Sequence, residues 1–164
     1  MVQGQVFLHV IFLLIRMKKL FFLTVTLLLT LFAVSSITAQ CTNWIDSPRK
    51  NEAEDAHVVY RSLIKGKQVA DLDKMGEEEF TTTFDNWKLA YEIAPAADGK
   101  RASHYSDGRK LMMSKFNKEQ DAEKKKGYAQ DVLRLYDEQI ECYQNEGYLL
   151  GRKGFDMFYI LGNG

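Results

Sequence analysis

The sequence predicts an all-α fold, and three observations carry that prediction. Past residue 40 the apolar residues recur at the helical period of about 3.6, as in Phe80, Phe84, Trp87, Tyr91 and Ala94, which step by 4, 3, 4 and 3. The alternating runs of Val, Ile and Thr that mark strands are missing. Only two prolines occur, and each stands where a helix should start or stop: Pro48 in a first turn, where its missing N–H costs nothing, and Pro95 at an end. The expected architecture is antiparallel helix pairs stacked on one another, preceded by a signal peptide.

Residues 1–39 read as that signal peptide. Met17-Lys18-Lys19 supplies a positive start, Leu20 to Val34 is an almost unbroken apolar run, and Thr38-Ala39 closes it, so cleavage is expected after Ala39. Translation from Met17 accounts for the extra apolar stretch Met1 to Arg16. Two other readings stay open. A run of ~20 apolar residues can also span a bilayer as a retained anchor. Cys41 invites a lipidation reading, although Gln40 stands where a lipid-modified cysteine has Gly, Ala or Ser. The expected location is therefore exported, periplasmic or secreted, with the membrane reached only through the export signal unless that segment is retained.

Loss of residues 1–39 removes Arg16, Lys18 and Lys19 and no acid, which leaves 19 basic against 22 acidic residues. A mature chain near −3 lacks the clustered positive charge of a nucleic-acid footprint, so no nucleic-acid partner is expected. Its length suits one ordinary core. Two cysteines remain, Cys41 and Cys142. In an exported chain they form either a disulfide or two separate small apolar residues, and sequence does not measure their separation.

Residues 40–50 are expected to be irregular, with Trp44 covering the end of the stack, and 51–164 to form the helical domain. The first helix is expected to start at Ser47 and Pro48, to bury Ala53, Ala56, Val59, Tyr60 and Leu63, and to stop at Gly66. In the second, the stripe Phe80, Phe84, Trp87 and Tyr91 has the spacing that core packing demands rather than that of a ligand-stacking platform. The third places Ala102, Tyr105, Met112 and Phe116 on one face. The fourth runs from about Gln120 to Asn145 on Ala129, Val132, Leu133, Tyr136, Ile140 and Tyr143, with Gly147 as its stop. A fifth begins near Tyr148. The core set is thus Phe80, Phe84, Trp87, Tyr91, Tyr105 and Tyr136.

Asn86 to Lys110 is read as the joint between the second and third helices. Asp98 should cap the new helix, Gly99 should relax the bend, and Gly108 should admit a neighbouring helix. An anion site on Lys100, Arg101 and Arg109 is the alternative.

Catalytic and metal patterns are not found. His57 and His104 lack zinc spacing, and Asp71 and Asp73 in "VADLDKMGEEEF" are out of register for a calcium loop. No Gly-rich phosphate loop follows a strand, and Cys142 has no histidine nearby in sequence. No catalytic residue, cofactor or metal is expected.

"FDNWKLAYEIAP" resembles the second helix of a tetratricopeptide repeat, with Trp87 or Tyr91 as its aromatic, Ala94 as its later small residue and Pro95 at the turn. "HYSDGRKL" is similar to the first helix of the next repeat, with His104 or Tyr105 near the usual aromatic and Gly108 at the usual glycine. "VLRLYDEQI" resembles another second helix around Tyr136. The resemblance covers roughly Ala53 to the end. It departs at Asp107, where a Leu is usual, and between Gly108 and Tyr136, which is longer than one standard repeat, so repeats would exceed 34 residues. The chain also looks similar to exported helical-repeat proteins of Gram-negative bacterial envelopes. The resemblance implies a short TPR-like α-solenoid, not an enzyme, that binds a protein or peptide partner in a concave groove, with Asn86, Lys100, Arg101 and Arg109 as groove candidates. Two alternatives stand beside it. One is an N-terminal fragment of a larger envelope protein, prompted by the aromatic end near Tyr159. The other is an exported enzyme, which would need a polar pocket holding His57 or His104 beside an acid.

Overall fold

The structure, a computed structural model, describes residues 41–162. The chain falls into two units, Met1–Ile37 and Thr38–Gly164. The leader reading, with its start at Met17 and its cut after Ala39, lies outside the described residues, and everything below concerns the second unit. Every regular element described there is helical: α1 (Lys50–Ile64), α2 (Val69–Asp73), α3 (Glu77–Ile93), α4 (Ser103–Lys118), α5 (Ala122–Tyr143) and α6 (Glu146–Phe155), which runs on into a π-helical turn, Asp156–Leu161. Among the described residues no helix is long and apolar enough to cross a membrane.

Two pairs make the stack, and their side chains fix the directions. Ala53 near the start of α1 packs with Ile93 and Ala94 at the end of α3, while Lys67 beyond α1 reaches Glu79 in the first turn of α3 at 3.1 Å. These helices are antiparallel. So are α4 and α5, where Tyr105 meets Cys142 at one end and Lys125 covers the Phe116 ring at the other. Corresponding helices of the two pairs run parallel. His57 and Arg61 of α1 meet His104 and Asp107 of α4, and Tyr91 and Ala96 meet Glu138 and Tyr143 of α5. These contacts join residues 46 or 47 apart in sequence.

The core follows the helical stripes. Tyr60, Leu72, Trp87, Tyr105, Leu111 and Leu135 are fully buried, each worth roughly 1.5–3 kcal/mol over exposure. Gly108 is needed where α4 meets α3: a Cβ there would stand 2.3 Å from Trp87 Cζ2. Trp87 fills this space and donates its indole N–H to the His104 carbonyl at 2.8 Å.

Several expectations are corrected. The first helix begins at Lys50, not at Ser47. The Ser47 hydroxyl instead accepts from the Arg49 amide and shapes the turn before the helix. Val59 faces solvent and Ile64 takes the buried place, so the α1 stripe is Ala53, Ala56, Tyr60 and Ile64. The segment read as a failed calcium loop holds α2, whose Asp71 carboxylate accepts from the Gln68 amide at its start, while Leu72 fills the core. Gly147 does not stop the fourth helix. Gln144 does so, in the left-handed region at φ 52°, and Gly147 lies within α6. The aromatic stripe of α3 is core at Phe80 and Trp87 but only half-buried at Phe84 and Tyr91, because those two rings border surface charges. Tyr105 and Tyr136 are buried.

Candidate functional site

The joint between α3 and α4 is bound from both sides. Asp98 accepts from the amides of Lys100 at 3.0 Å and Arg101 at 2.8 Å, and pairs with the Arg101 guanidinium at 2.7 Å. Burial alone would push its carboxyl up, but these donors hold it below the usual range. Asp98 therefore organises the bend and does not cap α4, whose start at Ser103 has no side-chain cap. Gly99 takes a left-handed φ of 73°. The N-terminal strap lies along the joint: Ala96 N–H donates to Thr42 O and Trp44 N–H to Ala97 O, at 3.0 and 2.9 Å. A disulfide between Cys41 and Cys142, Cα atoms 5.3 Å apart, ties the strap to the end of α5.

Trp44 thereby plugs the junction between the parallel helices α1 and α4. Its ring lies 4.9 Å from that of His57 and 5.5 Å from that of His104. His104 is fully buried. Its Nδ1 lies 2.7 Å from the Ala94 carbonyl, which can only accept, so the proton is assigned to Nδ1. His104 Nε2 then accepts from His57 Nδ1–H at 2.9 Å. Burial pushes both imidazoles down to about 4, so both are neutral at pH 7. Deeper in the junction Asp107, 3% exposed, accepts from Arg61 at 2.6 Å and from Tyr60 at 3.4 Å. The residue that departs from the repeat pattern is the acid that neutralises Arg61. Neither imidazole touches this acid.

The next junction, between α4 and α6, is open. A cleft of about 480 Å³ lies there, bordered by Val69 and Asp73 of α2, Arg109, Lys110 and Met113 of α4, Tyr136 of α5, Tyr148, Leu149 and Arg152 of α6, and Asp156 and Ile160 of the terminal turn. Arg109 lies with its guanidinium carbon 4.0 Å over the Tyr136 ring, and its Nη1 donates to Gln139 Oε1 at 2.7 Å and Leu135 O at 3.3 Å. Both acceptors are neutral. The buried Asp156 carboxylate takes the Tyr136 hydroxyl at 2.6 Å and stands 3.9 Å from Arg152. Burial lowers the Arg109 pKa, Tyr136 and Asp156 oppose that shift, and Arg152 adds to it. Three cations, Arg109, Lys110 and Arg152, thus face two acids, Asp73 and Asp156.

A smaller cleft of about 320 Å³ between α3 and α4 is lined by the chain's own lysines, Lys115 at 3.7 Å over Phe84 and Lys118 at 4.3 Å over Phe80. Among the described residues no group of three or more His, Cys, Asp or Glu side chains converges to hold a metal.

The four groove candidates do not come together. Arg109 lines the larger cleft, Asn86 bonds the Thr82 carbonyl on its own helix, and Lys100 and Arg101 belong to the joint. The anion site imagined on Lys100, Arg101 and Arg109 fails for the same reason. Sequence reasoning missed Tyr136, Arg152 and Asp156 as a polar group. The usable signal was the 47-residue offset, which sets Asp156 opposite Arg109 as it sets Asp107 opposite Tyr60.

Compared with known families, with curated proteins and with solved structures, the chain matches none.

Proposed function

We propose that this chain is an exported, TPR-like helical-repeat module that binds a protein or peptide partner and carries out no chemistry of its own. The α4–α6 cleft carries this reading: five helical elements wall it, it is apolar along Val69, Met113, Leu149 and Ile160, and it presents an arginine that its own acids leave unpaired. That is the make-up of a recognition surface, an apolar bed with a few placed polar groups. The parallel stacking of α1 on α4 and of α3 on α5 supports a repeat longer than the standard tetratricopeptide unit. The disulfide supports an oxidising compartment. Against a catalytic reading stands the tie of each imidazole to its neighbour or to a carbonyl, under Trp44, with no acid orienting either.

Site-specific photo-crosslinking in the cell of origin tests this. A crosslinker at Tyr148, which borders the cleft and is 67% exposed, should trap a discrete partner, while one at Val58, 65% exposed on α1, should trap none. Equal trapping at both positions, or at neither, would remove the cleft from consideration.

A further inference from the structure

We propose that the α4–α6 cleft recognises acidic side chains of an extended peptide, with Arg109 as the principal carboxylate-binding group and Arg152 on the opposite wall as the second. The inference rests on the cleft being the partner site.

Arg109 is held ready for such a ligand. Its plane is fixed by stacking on Tyr136, and its Nη1 is fixed by Gln139 and Leu135. Its Nε and Nη2 are not among the buried, unsatisfied atoms, and its nearest polar neighbour beyond Gln139 and Leu135 is the Tyr136 hydroxyl. A planar guanidinium with one edge anchored offers the other edge to the two oxygens of a carboxylate, the bidentate geometry that Lys cannot reproduce. The two arginines repel each other across the cleft, and Asp156, held by the Tyr136 hydroxyl and 3.9 Å from Arg152, is the one acid among the described residues that both feel, so two cations share a single carboxylate. An incoming anion between the walls would relieve that repulsion.

The surroundings choose the kind of anion. Asp73 and Asp156 line the same cleft and would repel a polyanion such as nucleic acid, whose binding wants unbroken positive charge. Apolar surface from Val69, Tyr148 and Ile160 borders the same cleft as the charged groups. The ligand that fits alternates carboxylates with apolar side chains. The cleft is open to solvent and not a closed cavity, so it suits a segment passing through rather than a chain end.

Fluorescence anisotropy tests this on the purified protein with its disulfide formed. Two pools of fluorescein-labelled, C-terminally amidated decapeptides are titrated, one alternating Asp or Glu with random apolar residues, the other carrying Asn or Gln instead. The acidic pool should bind at least tenfold more tightly, and less tightly as salt rises. Arg109→Gln should weaken it tenfold or more and Arg152→Gln severalfold, each variant first checked for an unchanged melting curve, while Lys100→Gln should change nothing. The Arg152 variant, on an exposed side chain, keeps the test alive should Arg109→Gln misfold. Equal binding of both pools would overturn the acidic preference and leave the cleft reading standing. Binding of neither would overturn both. Displacement of the acidic pool by inorganic phosphate at low millimolar concentration would reduce the site to one for small oxyanions and overturn the peptide.

Discussion

The α1–α4 junction and the α4–α6 cleft are finished differently. At α1–α4, Asp107 meets Arg61 at 2.6 Å, two neutral imidazoles satisfy each other, and Trp44 closes the gap from a strap held by a disulfide. At α4–α6 the same 47-residue offset brings Asp156 toward Arg109, yet the acid is taken by Tyr136 and a cleft of about 480 Å³ remains. Helix spacing alone does not decide whether such a junction is sealed. What decides it is whether charges pair across the gap and whether a large side chain fills it. One junction is closed by the chain's own side chains, and the other is left open.

The largest expected effect comes from breaking the seal's anchor. Cys41 and Cys142 are 101 residues apart, and in the chain-entropy model closing such a loop stabilises by up to ~4–5 kcal/mol. Reduction, or Cys41→Ser, should lower the urea midpoint accordingly and expose Trp44 to acrylamide quenching. A Trp44 that stays shielded after reduction would show that the strap holds without the disulfide. Next comes Asp107→Ala, which leaves Arg61 and Tyr60 facing an unpaired space. It should cost about 3 kcal/mol by chemical denaturation, the low end for breaking a buried pair because Arg61 is partly solvated.

How much of this contrast could be read from residues alone differs between its parts. The α3 stripe, the need for Gly108 and the arrest of a helix near Pro95 follow from local spacing and backbone chemistry, and α3 ends at Ile93. The short α2 was hidden because a five-residue helix makes little more than one turn of periodicity, and its acids imitate a loop. The contents of both junctions were hidden for another reason. His57 with His104, and Arg109 with Asp156, lie 47 residues apart, and that the first two bond and the second two border one cleft depends on how whole helices superpose. Asp107 stood out as a departure from the repeat pattern, but only the fold supplies Arg61 as its partner. Arg109 was singled out for its charge, while Tyr136 was read only as core.

The histidine pair gives the sealed junction a pH signature that the open one lacks. An exposed imidazole titrates near 6.5, whereas burial brings His57 and His104 to about 4, Arg61 and Arg101 add to the shift in His57, and Asp98 opposes it. Between those values the unfolded chain binds protons that the folded chain refuses. Stability is therefore full above about pH 6.5 and is lost as pH falls toward 4, by about 2 kcal/mol between pH 6 and pH 5 for the two rings together. Urea denaturation across that range reads the slope, and His57→Gln should roughly halve it. A slope unchanged by that substitution would assign the pH dependence to other groups.

The smallest expected effect sharpens the comparison most. Arg109→Gln in the unliganded protein should shift stability by less than about 1 kcal/mol, far less than Asp107→Ala at the sealed junction. The reasoning is local. Arg109 gives up its stacking on Tyr136, its attraction to Asp156 and two hydrogen bonds to neutral acceptors, which a glutamine amide can partly replace, while its removal ends both its own desolvation, the largest of its electrostatic costs, and its repulsion from Arg152. Losses and gains then nearly cancel. A drop of about 3 kcal/mol or more in thermal or urea unfolding would place Arg109 with Asp107 as a structural charge. The two junctions would then differ in shape alone, and the cleft would lose its waiting cation.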